Sequence, residues 1–90
     1  VKLTPAGREY ATWSIAGLPE PLSVSVSFDG LQWHPTTREG DTVRLLVAGP
    51  DATDNPEGTA VLHLGRNAAR LRVVDHPEIL IRAAGAVHVV

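Results

Sequence analysis

Residues 22–28, LSVSVSF, place an apolar side chain at every second position: Leu22, Val24, Val26 and Phe28 alternate with Ser23, Ser25 and Ser27. Successive side chains of a β-strand point to opposite faces, whereas a helix repeats every 3.6 residues. Strict two-residue alternation therefore predicts a strand with a buried face and a solvated face of serine hydroxyls.

The same reading extends along the chain. REYATWSIAG sets Ala11, Trp13 and Ile15 against Tyr10, Thr12 and Ser14, which predicts a first strand over about 9–16, stopped by Gly17 and the Pro19/Pro21 pair. After Phe28, Asp29-Gly30 signals a tight turn into LQWH, a hairpin closed by Pro35. REGD is the next turn. TVRLLVAG at 42–49 puts Val43, Leu45 and Val47 on one face, opposite Arg44 and Leu46. PDATDNPEG at 50–58 reads as a solvated loop and as the segment expected to move.

TAVLHLG and ARLRVVD are expected to be two strands joined around Gly65-Arg66-Asn67, with Leu71 and Val73 inward and Arg70 and Arg72 outward. DHPEILIRAAG carries Ile79 and Ile81. AVHVV forms a final strand beyond an Ala-Gly turn, with Val87 and Val89 on one side. Seven to eight short strands with Gly, Pro, Asp or Asn between them predict an all-β, immunoglobulin-like antiparallel β-sandwich. No window carries a helical stripe.

Ninety residues support one hydrophobic core and not two, so a single domain over 1–90 is expected. The apolar fraction of 43% and charged fraction of 20% are those of a chain that folds. With no cysteine, disulfides and thiolate metal sites are excluded, and packing or assembly must hold the domain together. A net charge of −2 supplies no general attraction to nucleic acid or anionic lipid. The opening VKLTPAGREY lacks the apolar stretch of a signal peptide, and no apolar run is long enough for a membrane span. Absent methionine and Lys2 as the one lysine beside many arginines suggest a GC-rich coding region.

Catalytic constellations are missing. A nucleophilic hydrolase needs a hydroxyl or thiol activated by an oriented histidine, and no nucleophile elbow surrounds Ser23, Ser25 or Ser27. His34, His63, His76 and His88 fall on separate elements without metal-ligand spacing. Asp51, Asp54, Asn55 and Glu57 offer oxygen ligands but lack the EF-hand pattern, so an ordinary acidic loop is the reading. Neither a cofactor nor a metal is expected. Trp13 and Trp33 are expected in the core. Arg70, Arg72 and Arg82 suggest an arginine stripe, and Asp75 to Glu78 a neighbouring turn. Base-stacking aromatics are missing beside that stripe, so no direct nucleic-acid contact is expected.

PAGREY at 5–10, Trp33-His34-Pro35, LLVAGP at 45–50 and above all RVVDHPEILIRAAGAVHV at 72–89 resemble small immunoglobulin-like proteins encoded among the virion structural genes of tailed phages of actinobacteria. The resemblance spans nearly the whole chain. It departs from the family at one corner, where an aromatic is common but Leu64-Gly65 is followed by Arg66, Asn67 and Ala68. It implies no active site. It implies a multi-copy subunit of the phage particle, assembled in the bacterial cytoplasm and bound to the major capsid protein or to neck proteins as a decoration, minor capsid or head-tail junction component. Arg70, Arg72, Arg82, Asp75 and Glu78 are the expected partner-binding residues. The alternative is a carbohydrate- or receptor-binding β-sandwich module with an exposed aromatic platform.

Overall fold

The computed structural model describes residues 2–15, 23–75 and 78–90, and all of its regular structure is β. The strands are Lys2–Leu3 (β1), Arg8–Ser14 (β2), Ser23–Ser27 (β3), His34–Pro35 (β4), Thr37–Glu39 (β5), Thr42–Ala48 (β6), Ala60–Val61 (β7), Gly65–Asp75 (β8) and Glu78–Val89 (β9). Seven to eight strands were expected. β1 and β5 add to that number, being too short to leave a periodicity, and the two strands expected after Asp75 are one. Leu22, the stop at Gly17, Pro19 and Pro21, and the residues His76 and Pro77 lie outside the described residues.

Two sheets form, one ordered β1-β9-β8-β3-β4 and the other β2-β6-β5 with β7 beside β6. The expectation of antiparallel pairing is corrected at two places. β1 runs parallel to β9, with Lys2 opposite His88, and β7 runs parallel to β6, with Ala60 opposite Val47. Parallel neighbours need a long connection between them: most of the chain, crossing to the other sheet and back, separates β1 from β9, and the loop at 49–59 separates β6 from β7.

The inner faces meet in one core. Val24, Val26, Leu71, Val73, Val87 and Val89 of the first sheet pack with Ala11, Val43, Leu45 and Val47 of the second. Each of these valine and leucine side chains contributes about 1.5–3 kcal/mol when fully buried. Trp13 and Phe28 flank this cluster with their rings 6.4 Å apart and tilted by 51°. The faces expected from alternation hold in β2, β6 and the middle of β8.

Several expectations yield to tertiary contacts. Ser27 is buried instead of lying on a solvated hydroxyl face. Its Oγ donates to Asp29 Oδ1 and accepts the backbone N–H of Gly30 at 2.8 Å, because the loop after β3 folds back over it. That loop is longer than the tight turn expected at Asp29-Gly30. Its first half is held by the Asp29 carboxylate, which accepts the N–H groups of Leu31 and Gln32, each at 2.8 Å. These bonds favour the ionised acid, and the Asp29 pKa lies below the usual carboxylate range, with the Gln32 and Leu31 N–H groups the leading causes.

Gly65-Arg66-Asn67 is the start of β8 and not a turn. Asn67 is buried. Its Nδ2 donates to the carbonyl oxygens of His63, Gly65 and Val87, and its Oδ1 accepts the His63 N–H. A side-chain amide thus substitutes for backbone pairing at the corner.

Ala84-Gly85 is likewise no turn. Ala68 pairs with Ala86 and Arg70 with Ala83, so Ala69 faces both Ala84 and Gly85 across a β-bulge. Gly85 has a φ of 75° there, a conformation that glycine adopts without steric cost.

The loop at 50–58 is tied to β2. Arg8 Nη1 donates to the Thr53 oxygen and to Asn55 Oδ1, each at 3.2 Å. Asp51 N–H reaches the Pro5 oxygen at 2.9 Å. Gly49, at the loop's entrance, lies so close to the Thr4 and Pro5 backbone that no Cβ fits.

Candidate functional site

The β8–β9 hairpin is the longest ladder, running from Gly65 opposite Val89 to Asp75 opposite Glu78. At about 3.3 Å per residue these strands account for the long axis of the molecule, 38 Å against 21 and 20 Å. On its other side β9 meets β1 only at His88 and Val89. Among the described residues, Glu78 to Val87 have no strand partner on that side. From Glu78 to Arg82, half of the backbone N–H and C=O groups therefore face outward as an open edge.

This edge is apolar where it is open. Ile79, Leu80 and Ile81 are 59%, 55% and 54% exposed. Leu80 is the register partner of Val73 and shares its inner face, while Ile79 and Ile81 sit opposite Val74 and Arg72 on the outer face. A cavity of about 290 Å³ opens among Val73, Leu80, Ile81 and Arg82. Glu78 and Arg82 are exposed and bracket the apolar stretch. Ile79 and Ile81 thus belong to the surface, not to the core. The alternation that buries Val87 and Val89 does not bury them, because the bulge between Ala83 and Ala86 shifts its phase and turns Ile79 and Ile81 to the outer face.

The arginine stripe does not form as expected. Arg70 and Arg72 share the outer face of β8, but Arg82 is the register partner of Leu71 and therefore lies on the inner side of the sheet's rim. Asp75 and Glu78 are register partners at the hairpin's end. Glu78 and Arg82 thus lie along the β9 edge at the two ends of the apolar stretch, and Arg70 and Arg72 lie on another surface.

Trp33 belongs to that outer surface and is not a core residue. The Arg72 guanidinium lies 4.5 Å from the centre of its ring, a cation–π arrangement. Arg72 Nε is buried without a hydrogen-bond partner among the described residues. Arg44 lies 4.6 Å from the Tyr10 ring centre and pairs with Glu39 at 3.3 Å. Both aromatics that could serve as a flat sugar platform therefore carry a guanidinium.

A cavity of about 280 Å³ with mixed polar and apolar walls lies at the opposite end of β8, lined by Phe28, Asp29, Gln32, His34, Leu62 and His63 among others. The fold thus brings together two histidines that the sequence places far apart. His63 Nδ1 lies 2.9 Å from the Leu64 oxygen, and the Asp29 carboxylate is occupied by its own loop. Among the described residues no three His, Cys, Asp or Glu side chains are grouped to hold a metal, and no helix is long and apolar enough to cross a membrane.

Comparison with known protein families, curated proteins and solved structures finds no match. The open, apolar edge of β9 is the candidate site. Its signal in the sequence was Ile79-Leu80-Ile81 itself. Three consecutive apolar residues break the two-residue alternation and make both faces of the strand apolar, in a sheet whose outer face also carries Ser25, Arg70 and Arg72.

Proposed function

We propose that the chain is a non-enzymatic assembly domain with an immunoglobulin-like sandwich, and that it serves as a structural subunit of a phage particle. The observation that carries this reading is the open β9 edge with Ile79, Leu80 and Ile81 exposed. Natural sheets blunt such edges, because bare strand edges with apolar side chains recruit other chains. An edge kept open and apolar is suited to be covered by protein.

The strand order supports the immunoglobulin-like sandwich. β2-β6-β5 corresponds to the B-E-D strands of an immunoglobulin sandwich, and β3-β8-β9 to its C-F-G strands, with β4 beside β3 as an added edge. The resemblance at 72–89 supports the virion role, and it covers the β9 edge.

The test is quantitative mass spectrometry of purified particles of the phage encoding the chain. The expected result is a fixed stoichiometry with the major capsid protein, at shell level for a decoration subunit or at ring level for a neck component. Absence from the particles overturns the virion reading.

A further inference from the structure

We infer that the open edge of β9 pairs with the same edge of a second copy, antiparallel and centred on Leu80. The inference rests on the reading of the chain as an assembly domain and names the partner at that edge. It follows from the order of side chains in Glu78-Ile79-Leu80-Ile81-Arg82. In an antiparallel ladder related by a two-fold axis at Leu80, position 78 faces position 82 of the other strand, 79 faces 81, and 80 faces itself. Glu78 then stands opposite Arg82 of the second copy and Arg82 opposite its Glu78. Ile79 and Ile81 meet across the ladder, and the two Leu80 side chains meet at the axis.

Charge decides the register. Moving the axis by one residue to Ile79 sets Glu78 against Leu80, and moving it to Ile81 sets Arg82 against Leu80. Directly opposed residues share a face and are about 4.5–5.5 Å apart, so opposite charges there stabilise and like charges oppose pairing. Only the Leu80 axis matches apolar with apolar and acid with base at all five positions. A two-fold contact must be self-complementary in this way.

The edge is available for pairing. Among the described residues no strand lies beside Glu78 to Val87, and Ile79, Leu80 and Ile81 are more than half exposed. Pairing would join the two five-stranded sheets into one continuous sheet, satisfy the outward backbone groups of Glu78–Arg82 and cover the cavity beside Leu80. The contact is confined to five residues a side, which sets it among small, concentration-dependent interfaces.

Sedimentation equilibrium over a concentration series tests this. The wild-type chain is expected to approach twice the monomer mass at high concentration. Arg82→Glu and Glu78→Arg each place like charges opposite one another twice per dimer and should raise the dissociation constant about tenfold. The combined charge swap should restore it. Because the chain has no cysteine, Leu80→Cys should yield a disulfide-linked dimer under mild oxidation, whereas Arg44→Cys, on the second sheet, should not. A wild-type chain that stays monomeric, or a charge swap that fails to restore a dimer lost in both folded single variants, overturns the pairing. The virion reading is scored separately: a monomer found in purified particles overturns self-pairing alone, and a dimer absent from them overturns the virion role alone.

Discussion

The indole Nε1 of Trp13 donates a 3.0 Å hydrogen bond to the backbone oxygen of Ala84, linking β2 of one sheet to β9 of the other. The acceptor sits in the bulge opposite Ala69, where β9 departs from its regular register with β8. A bulge re-aims the backbone around it, and here the re-aimed segment meets a tryptophan from the facing sheet. The contact lies on the same strand as the open edge and fixes the rim relative to the core.

Trp13→Phe keeps most of the apolar contact with Phe28 and removes the donor to Ala84. It should cost about 1–2 kcal/mol, combining one hydrogen bond with some lost packing. Urea unfolding followed by circular dichroism measures this; an unchanged midpoint would mean that the bond contributes nothing to holding the sheets together.

Gly85→Ala tests the bulge. Nothing lies within 4 Å of an added Cβ, so the cost is that of a left-handed backbone alone, about 1 kcal/mol. Gly49→Ala has the opposite origin, because its Cβ collides with the Thr4 and Pro5 backbone. It should cost about 2–3 kcal/mol through overpacking. Thermal melts of the two variants should rank Gly49→Ala well below Gly85→Ala, and the reverse order would contradict the close approach of 4–5 to 49.

Asn67→Ala leaves the carbonyl oxygens of His63, Gly65 and Val87 and the His63 N–H without their amide partner. Loss of a buried group serving several backbone partners should cost about 2–4 kcal/mol. Asn67→Asp should fare no better at neutral pH, since a carboxylate accepts but cannot donate to those carbonyls. Chemical denaturation of both variants at pH 7 checks this, and an Asp variant as stable as wild type would be incompatible with the donor role of Nδ2.

Asp29 makes the stability of the loop after β3 depend on pH. Its pKa is lowered in the folded chain by the Gln32 and Leu31 N–H groups. The stabilisation is therefore fully present above the carboxyl's unfolded value and is lost as pH falls through the depressed folded value. Asp29→Asn should lower the melting temperature at pH 7, and the gap to wild type should narrow in acid. Melting curves from pH 7 to pH 2 test the direction, and a gap that widens in acid would reverse the assignment.

Much of this architecture was legible in the residues. Alternation placed β2, β3, β6 and the middle of β8 with their inward faces, because one buried and one wet face leave a two-residue period whatever lies across the core. Turn residues marked most connections but not their geometry. Gly65 and Gly85 read as turns and are strand positions, since a glycine signals backbone freedom and not what that freedom serves. Glu78 and Arg82 stand out in the residues as charges at the two ends of an apolar stretch, whereas the exposure of Ile79, Leu80 and Ile81 between them depends on the order of strands in the sheet.

The sequence by itself determined that this chain forms strands, where most of them run, and which residues of each turn to one side. Whether a side is inside was decided only by the tertiary structure. Ser27 is buried by a loop that returns over it, Trp33 is turned outward beneath Arg72, and Ile79 to Ile81 are left at a rim that no strand among the described residues covers. The physical reason is that periodicity is a local property of one strand, while burial depends on which strand or loop arrives beside it from elsewhere in the chain.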